Sequence, residues 1–207
     1  MAAASPAPGV IPDSESGSAE LSVWKPFLAR AVISAAFGLV TIFWREPSTS
    51  VMSLAGGLYL LLGGAAYLWT HRMTHWGPRS TLLTGVGGSL LLGAGIASLV
   101  IVDDRSFAFA GAVALVVSGF AELVRGLAVR GHAAARDLVV VGGVSIGTGA
   151  ILPFVEQLGA RALLGVTGGG ALLTAVVLGL AALSYRHDSA LSAPPTSGAP
   201  SEPDPVN

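Results

Sequence analysis

The chain has 207 residues, of which 52% are hydrophobic and 11% charged, with a mean hydropathy of +0.71 and a formal net charge of −1. A soluble domain carries about 25% charged residues, so a large soluble core is excluded: six long apolar runs would need far more polar cover than this chain owns. The absence of cysteine removes disulfides and thiolate chemistry, and ten arginines against one lysine fit a GC-rich bacterial coding bias.

Residues 1–22 are rich in Ala, Ser, Pro and Gly, carry Asp13, Glu15 and Glu20, and contain no Lys or Arg. A secretory signal begins with a positive region, so this segment is expected to be an uncleaved, disordered tail. Six uncharged stretches then follow, at 31–44, 47–70, 80–102, 106–121, 138–155 and 162–185. A helix needs about 20 apolar residues to cross a hydrocarbon core of about 30 Å. The first stretch reaches that length if Arg30 lies at its end, and the fourth if Glu122 and Arg125 do, which long side chains permit by snorkelling. Runs such as Leu90 to Leu92 and Val139 to Val141 lack the apolar and polar alternation of barrel strands. The expected fold is an all-α membrane protein of six transmembrane helices, occupying 23–188. The Pro-rich residues 189–207 are expected to be a second disordered tail.

With both termini cytoplasmic, the inside carries Lys25, Arg30, Arg72, Arg79, Arg125, Arg130, Arg136 and Arg186, and the outside only Arg45, Arg105 and Arg161. That asymmetry obeys the positive-inside rule. Trp24, Trp44, Trp69 and Trp76 fall at or near span ends, where indoles favour the interface. The expected location is the bacterial inner membrane.

A serine four residues before a glycine occurs three times: Ser34 and Gly38, Ser89 and Gly93, Ser145 and Gly149, at offsets of 55 and then 56 residues. The spans thus divide into three repeated helical hairpins at about 24–79, 80–136 and 137–188. Helices in lipid associate through close contact, which small residues four apart permit. Each odd helix is therefore expected to pack through its Ser/Gly pair. The even helices offer Gly56, Gly57, Gly63 and Gly64, then Gly111, Ser118 and Gly119, then Gly168, Gly169 and Gly170.

The first unit, with Trp24, Phe27 to Arg30, Gly38, Phe43, Trp44, Pro47, Gly56, Gly57, Tyr59 and Gly63, resembles the HdeD-like family of small bacterial membrane proteins built from a repeated pair of spans. In the second unit Ser118, Gly119 and Glu122 are similar to that family's small and acidic positions. Asp103, Asp104 and Arg105 depart from it where the first unit has Trp44 to Pro47, and the third unit has Pro153 without a tryptophan. The resemblance implies a stress-linked membrane protein associated with acid resistance.

Few residues can carry chemistry. Glu122 and Arg125 lie three apart on one helical face, and an ionisable residue at membrane depth is a functional candidate by default. Both are read in the last turn of the fourth span, with Arg30 as a second partner for Glu122; the plainer reading is an ion pair at the interface. His71 and His75 share the four-residue spacing of a metal site but lack further ligands, and the four histidines could instead sense pH. Gly142, Gly143, Gly147 and Gly149 follow no strand and precede no Gly-Lys-Ser/Thr, so they are packing glycines and not a phosphate loop.

No cofactor, metal or nucleic-acid partner is expected, and no nucleophile with a base marks an enzyme. The lipid bilayer is the expected partner, with a second copy or another membrane protein left open. The expected function is a non-enzymatic stress protein, or else a small transporter or channel. Transport predicts polar residues at mid-span depth, and by sequence the span centres are nearly bare of them.

Overall fold

A computed structural model of the chain describes residues 24–73, 78–128 and 133–191. Among these the structure is six long helices with no strand. They are α1 (Trp24–Phe43), α2 (Thr49–Met73), α3 (Pro78–Val100), α4 (Asp104–Ala128), α5 (Ala133–Val155) and α6 (Ala160–Leu191), with a short 3₁₀ turn at Glu156–Leu158. Each is long and apolar enough to cross a membrane. The protein is a multi-pass all-α membrane protein, and α6 extends to Leu191, past the boundary expected at 188. Residues 1–22 and 192–207 lie outside the described residues.

Local chemistry sets the helix ends. Pro78 opens α3, where its missing N–H costs nothing. Asp103 caps α4 by accepting the Ser106 N–H at 2.9 Å. Pro153 withdraws a donor near the end of α5, which stops two residues later at Val155. Gly159, with φ of +79°, then turns the chain into α6, a backbone state that side-chain-bearing residues avoid.

The helices form a closed ring in chain order, α6 returning to pack on α1. The even helices α2, α4 and α6 also touch one another, so they form the centre, and the odd helices lie outside them in the gaps. The tightest seams are α4 with α5, α1 with α6 and α2 with α3. Each tight seam joins the second helix of one sequence unit to the first helix of the next, closing in a circle. The repeated hairpin is therefore the unit of sequence but not the unit of packing. The outer surface is apolar, with Phe43, Val100, Phe154 and Leu82 all largely exposed, as a face turned to lipid tails requires.

The 55- and 56-residue offsets generate the core directly when applied to the even helices. Met52, Phe107 and Leu163 form one buried layer; Leu60, Leu115 and Ala171 form the next; then come Tyr67, Glu122 and Leu178, and last Thr70, Arg125 and Ala181. A layer has one residue from each unit because α2, α4 and α6 run in the same direction around a common axis.

The odd helices do not keep that register. A Cβ on Gly38 would lie 3.2 Å from the Gly168 carbonyl oxygen, one on Gly149 at 2.9 Å from that of Ala112, and one on Gly95 at 2.8 Å from that of Gly57. Gly57, Ala112 and Gly168 are themselves counterparts, so Gly95 and not Gly93 corresponds to Gly38 and Gly149. The expected packing role of Ser89 and Gly93 is thus corrected. Both are exposed, and a Cβ on Gly93 would meet nothing within 4 Å. Two residues turn a helix by about 200°, which puts Gly93 on the far face. Ser34, Gly38, Ser145 and Gly149 are buried at helix contacts. Leu91 stands where Ser34 and Ser145 stand.

Candidate functional site

The site lies toward the end of the bundle where α1 begins and α6 finishes. Glu122 is fully buried on α4, and the helix continues beyond it to Ala128. The expectation of a carboxylate in the last turn, within reach of water, is corrected: α4 runs nearly two turns further, and α1, α2 and α5 close over the side chain. Glu122 Oε1 accepts the Arg30 Nη1 hydrogen in an ion pair. Arg30 comes from α1, which is not adjacent to α4 in the ring, so the two side chains meet across the bundle centre. The second oxygen, Oε2, is buried with no hydrogen-bond partner among the described residues.

Tyr67 of α2 completes the cluster. The Arg30 guanidinium lies 5.1 Å from its ring centroid, a cation–π distance. Its hydroxyl donates to the Ser118 carbonyl at 3.2 Å, and Arg125 hydrogen-bonds with its side chain. Arg125 is buried beside Tyr67, and Glu122 pairs with Arg30, the second partner expected for it, in the core and not at an aqueous interface.

All three charges occupy positions that the other units fill with uncharged residues. Glu122 corresponds to Tyr67 and Leu178, and Arg125 to Thr70 and Ala181. In the register of Gly38, Gly95 and Gly149, Arg30 corresponds to Gly87 and Val141. Gly87 is small because α4 presses on it: a Cβ there would come within 2.9 Å of the Ser118 Cα.

Next to the ion pair, toward the opposite end of the bundle, lie two small cavities. The first, of about 20 Å³, is lined by Arg30 with the hydroxyl-bearing Ser34, Tyr59, Ser118 and Ser145. The second, of about 10 Å³, shares Tyr59 and Ser145 with it and adds Thr148, Thr167 and Thr174. The expectation of span centres nearly bare of polar groups is corrected here. The hydroxyls are scattered over five helices in sequence and converge only in the folded ring. Tyr67, Thr148, Thr167 and Thr174 were not singled out from the sequence. The repeat offset was the signal for Tyr67, since it places that residue in one layer with Glu122.

Among the described residues no three His, Cys, Asp or Glu side chains gather as metal ligands. The side chains of His71, His75 and His132 lie outside the described residues, and His187 is exposed on α6. At the entry of α1, Trp24 lies under two cations, Lys25 at 6.0 Å and Arg186 at 5.8 Å from its ring. Comparison with known protein families, curated proteins and solved structures finds no match to the chain.

Proposed function

We propose that the protein is a non-enzymatic protein of the bacterial inner membrane that acts in acid or envelope stress, with Arg30, Glu122 and Arg125 as its working part. The observation that carries this reading is the uneven use of the repeat. At each of these three positions a single unit places a charge, Arg30 in the first and Glu122 and Arg125 in the second, while the other two units fill it with Tyr, Leu, Thr, Ala, Val or Gly. A buried ion pair adds little stability over apolar residues of similar volume, and the sister positions are filled without charge in the other units. Packing alone does not account for these charges, whereas ionisable groups inside a membrane accompany function. The resemblance to HdeD-like proteins supports a stress role. The excess of basic residues at the end where α1 begins supports cytoplasmic termini, which sets Glu122 in the cytoplasmic half of the bilayer.

The test is survival after acid challenge in a strain lacking its own copy, comparing wild type with Glu122→Gln at matched membrane expression. Survival is expected to fall toward that of the deletion. Full survival of the variant, where deletion is harmful, would return Glu122 to a structural role.

A further inference from the structure

We infer that the bundle axis is a proton half-channel, in which water in the two cavities links the Arg30–Glu122 pair to an apolar layer that keeps the path shut. This goes beyond the stress reading and does not depend on it.

A buried water needs about 10–15 Å³ and two to four polar partners. The first cavity meets both conditions, with about 20 Å³ and Arg30, Tyr59, Ser34 and Ser145 around it; the second, at about 10 Å³, is at the lower limit with Thr148, Thr167 and Thr174. Because Tyr59 and Ser145 line both, one water in each cavity is bridged by those hydroxyls, each of which both donates and accepts. Ser118, one helical turn before Glu122 on the same face of α4, brings the chain to the carboxylate.

The path has a defined far end. Met52, Phe107, Leu152 and Leu163 are all fully buried and offer no side-chain hydrogen-bonding group. Phe107 lies about 22 Å from Glu122 at 1.5 Å per residue, so the polar column covers most of the span and stops at this layer. Hydrophobic constrictions of this kind block conduction by excluding water.

Unpartnered buried polar atoms bracket the column. Glu122 Oε2 stands at one end; at the other are Ser53 Oγ, beside Met52 in sequence, and Asp104 Oδ1, one turn before Phe107. Buried polar groups are normally hydrogen-bonded, to water where protein partners are lacking. Water at these three atoms, together with the cavities, gives polar stations on both sides of the apolar layer.

The chemistry balances without any co-reactant. A hydronium at the end of the chain gives its proton to Glu122 Oε2, leaving water and a neutral carboxylic acid and releasing the Arg30 ion pair; transfer of that proton to a second water regenerates hydronium and restores the pair. The charged and titratable groups facing Glu122 are Arg30 from α1, Tyr59 and Tyr67 from α2 and Arg125 from α4 itself; α5 presents Gly142 and α6 Leu178.

The test uses the full-length chain in liposomes with an entrapped pH dye and an imposed potential. Wild type is expected to pass protons no faster than empty liposomes, and Met52→Ala, which opens the apolar layer, about tenfold faster. Adding Glu122→Gln to Met52→Ala should return the flux to the wild-type level. A folded Met52→Ala that stays tight, or one whose leak survives Glu122→Gln, overturns the half-channel. If Met52→Ala does not fold, Leu163→Ala opens the same layer. Wild type also answers directly: radiolytic labelling, which marks side chains beside bound water, should modify Tyr59 at least about fivefold faster than the equally aromatic Phe107. Equal rates would show a dry column. Acid survival that depends on Glu122 without any of these fluxes would retain the stress reading and remove this one.

Discussion

Arg30 and Glu122, 92 residues apart in sequence, form an ion pair between two helices that are not neighbours in the ring. The pair exists only because the even helices bring α4 to the axis while Arg30 reaches in from outside. Breaking such a pair leaves the survivor buried and uncompensated, which is far worse than never having had it.

Glu122→Leu or Arg30→Met alone should therefore destabilise the protein by about 3–5 kcal/mol. The double variant should recover most of the loss, because Leu178 and Val141 show that the sister positions accept apolar residues. Denaturation in detergent of both single variants and the double completes the cycle. Additive losses would show that the two charges are not coupled.

The register of α3 gives a second expectation. Leucine at Gly95 must displace backbone, since its Cβ would come within 2.6 Å of the Leu61 nitrogen and 2.8 Å of the Gly57 oxygen. Gly95→Leu should cost about 3 kcal/mol or more, as overpacking against an unyielding neighbour does. Gly93→Leu faces open space and should stay within about 0.5 kcal/mol of wild type. Similar melting temperatures for the two variants would refute the two-residue shift.

Asp103 supplies a pH dependence outside the membrane. The Ser106 backbone N–H bonded to its carboxylate, with the nearby Arg105 charge as a smaller cause, holds its pKa below the usual aspartate range. A depressed carboxylate pKa contributes stability above the unfolded value of about 3.9, and that contribution is lost as pH falls through the folded value. Asp103→Ala should accordingly melt below wild type at neutral pH, with the gap closing as the pH is taken below about 4. A gap independent of pH would mean that the cap does not act through its charge.

Orientation can be read by chemical labelling, since the chain contains no cysteine. Ser48 and Gln157 are exposed at one end of the bundle, and Lys25 and Arg186 at the other. Single cysteines at Ser48 and Gln157 should react with an impermeant reagent on intact cells, and those at Lys25 and Arg186 only after lysis. The opposite pattern would invert the topology and carry Glu122 to the outer half.

The number, length and helical character of the spans were legible in the sequence, because each depends on local composition: apolar runs of span length cannot cross a bilayer as anything but helices unless they alternate. The repeat spacing was legible too, and once burial is known the same offset relates the core layers of the even helices residue by residue. What the sequence could not decide was rotation. Ser89 and Gly93 match their counterparts in type and spacing, yet two residues of slip in α3 turn them outward, and only the facing carbonyl of Gly57 reveals that Gly95 holds the contact. Depth was equally hidden. Glu122 and Arg125 follow an apolar run and read as groups at its wet end, but burial is a property of what surrounds a helix, and here α1, α2 and α5 cover them. The hydroxyl column is the extreme case: Ser34, Tyr59, Ser118, Ser145 and Thr167 are unremarkable residues on five separate helices, and their convergence on one axis belongs to the tertiary structure alone.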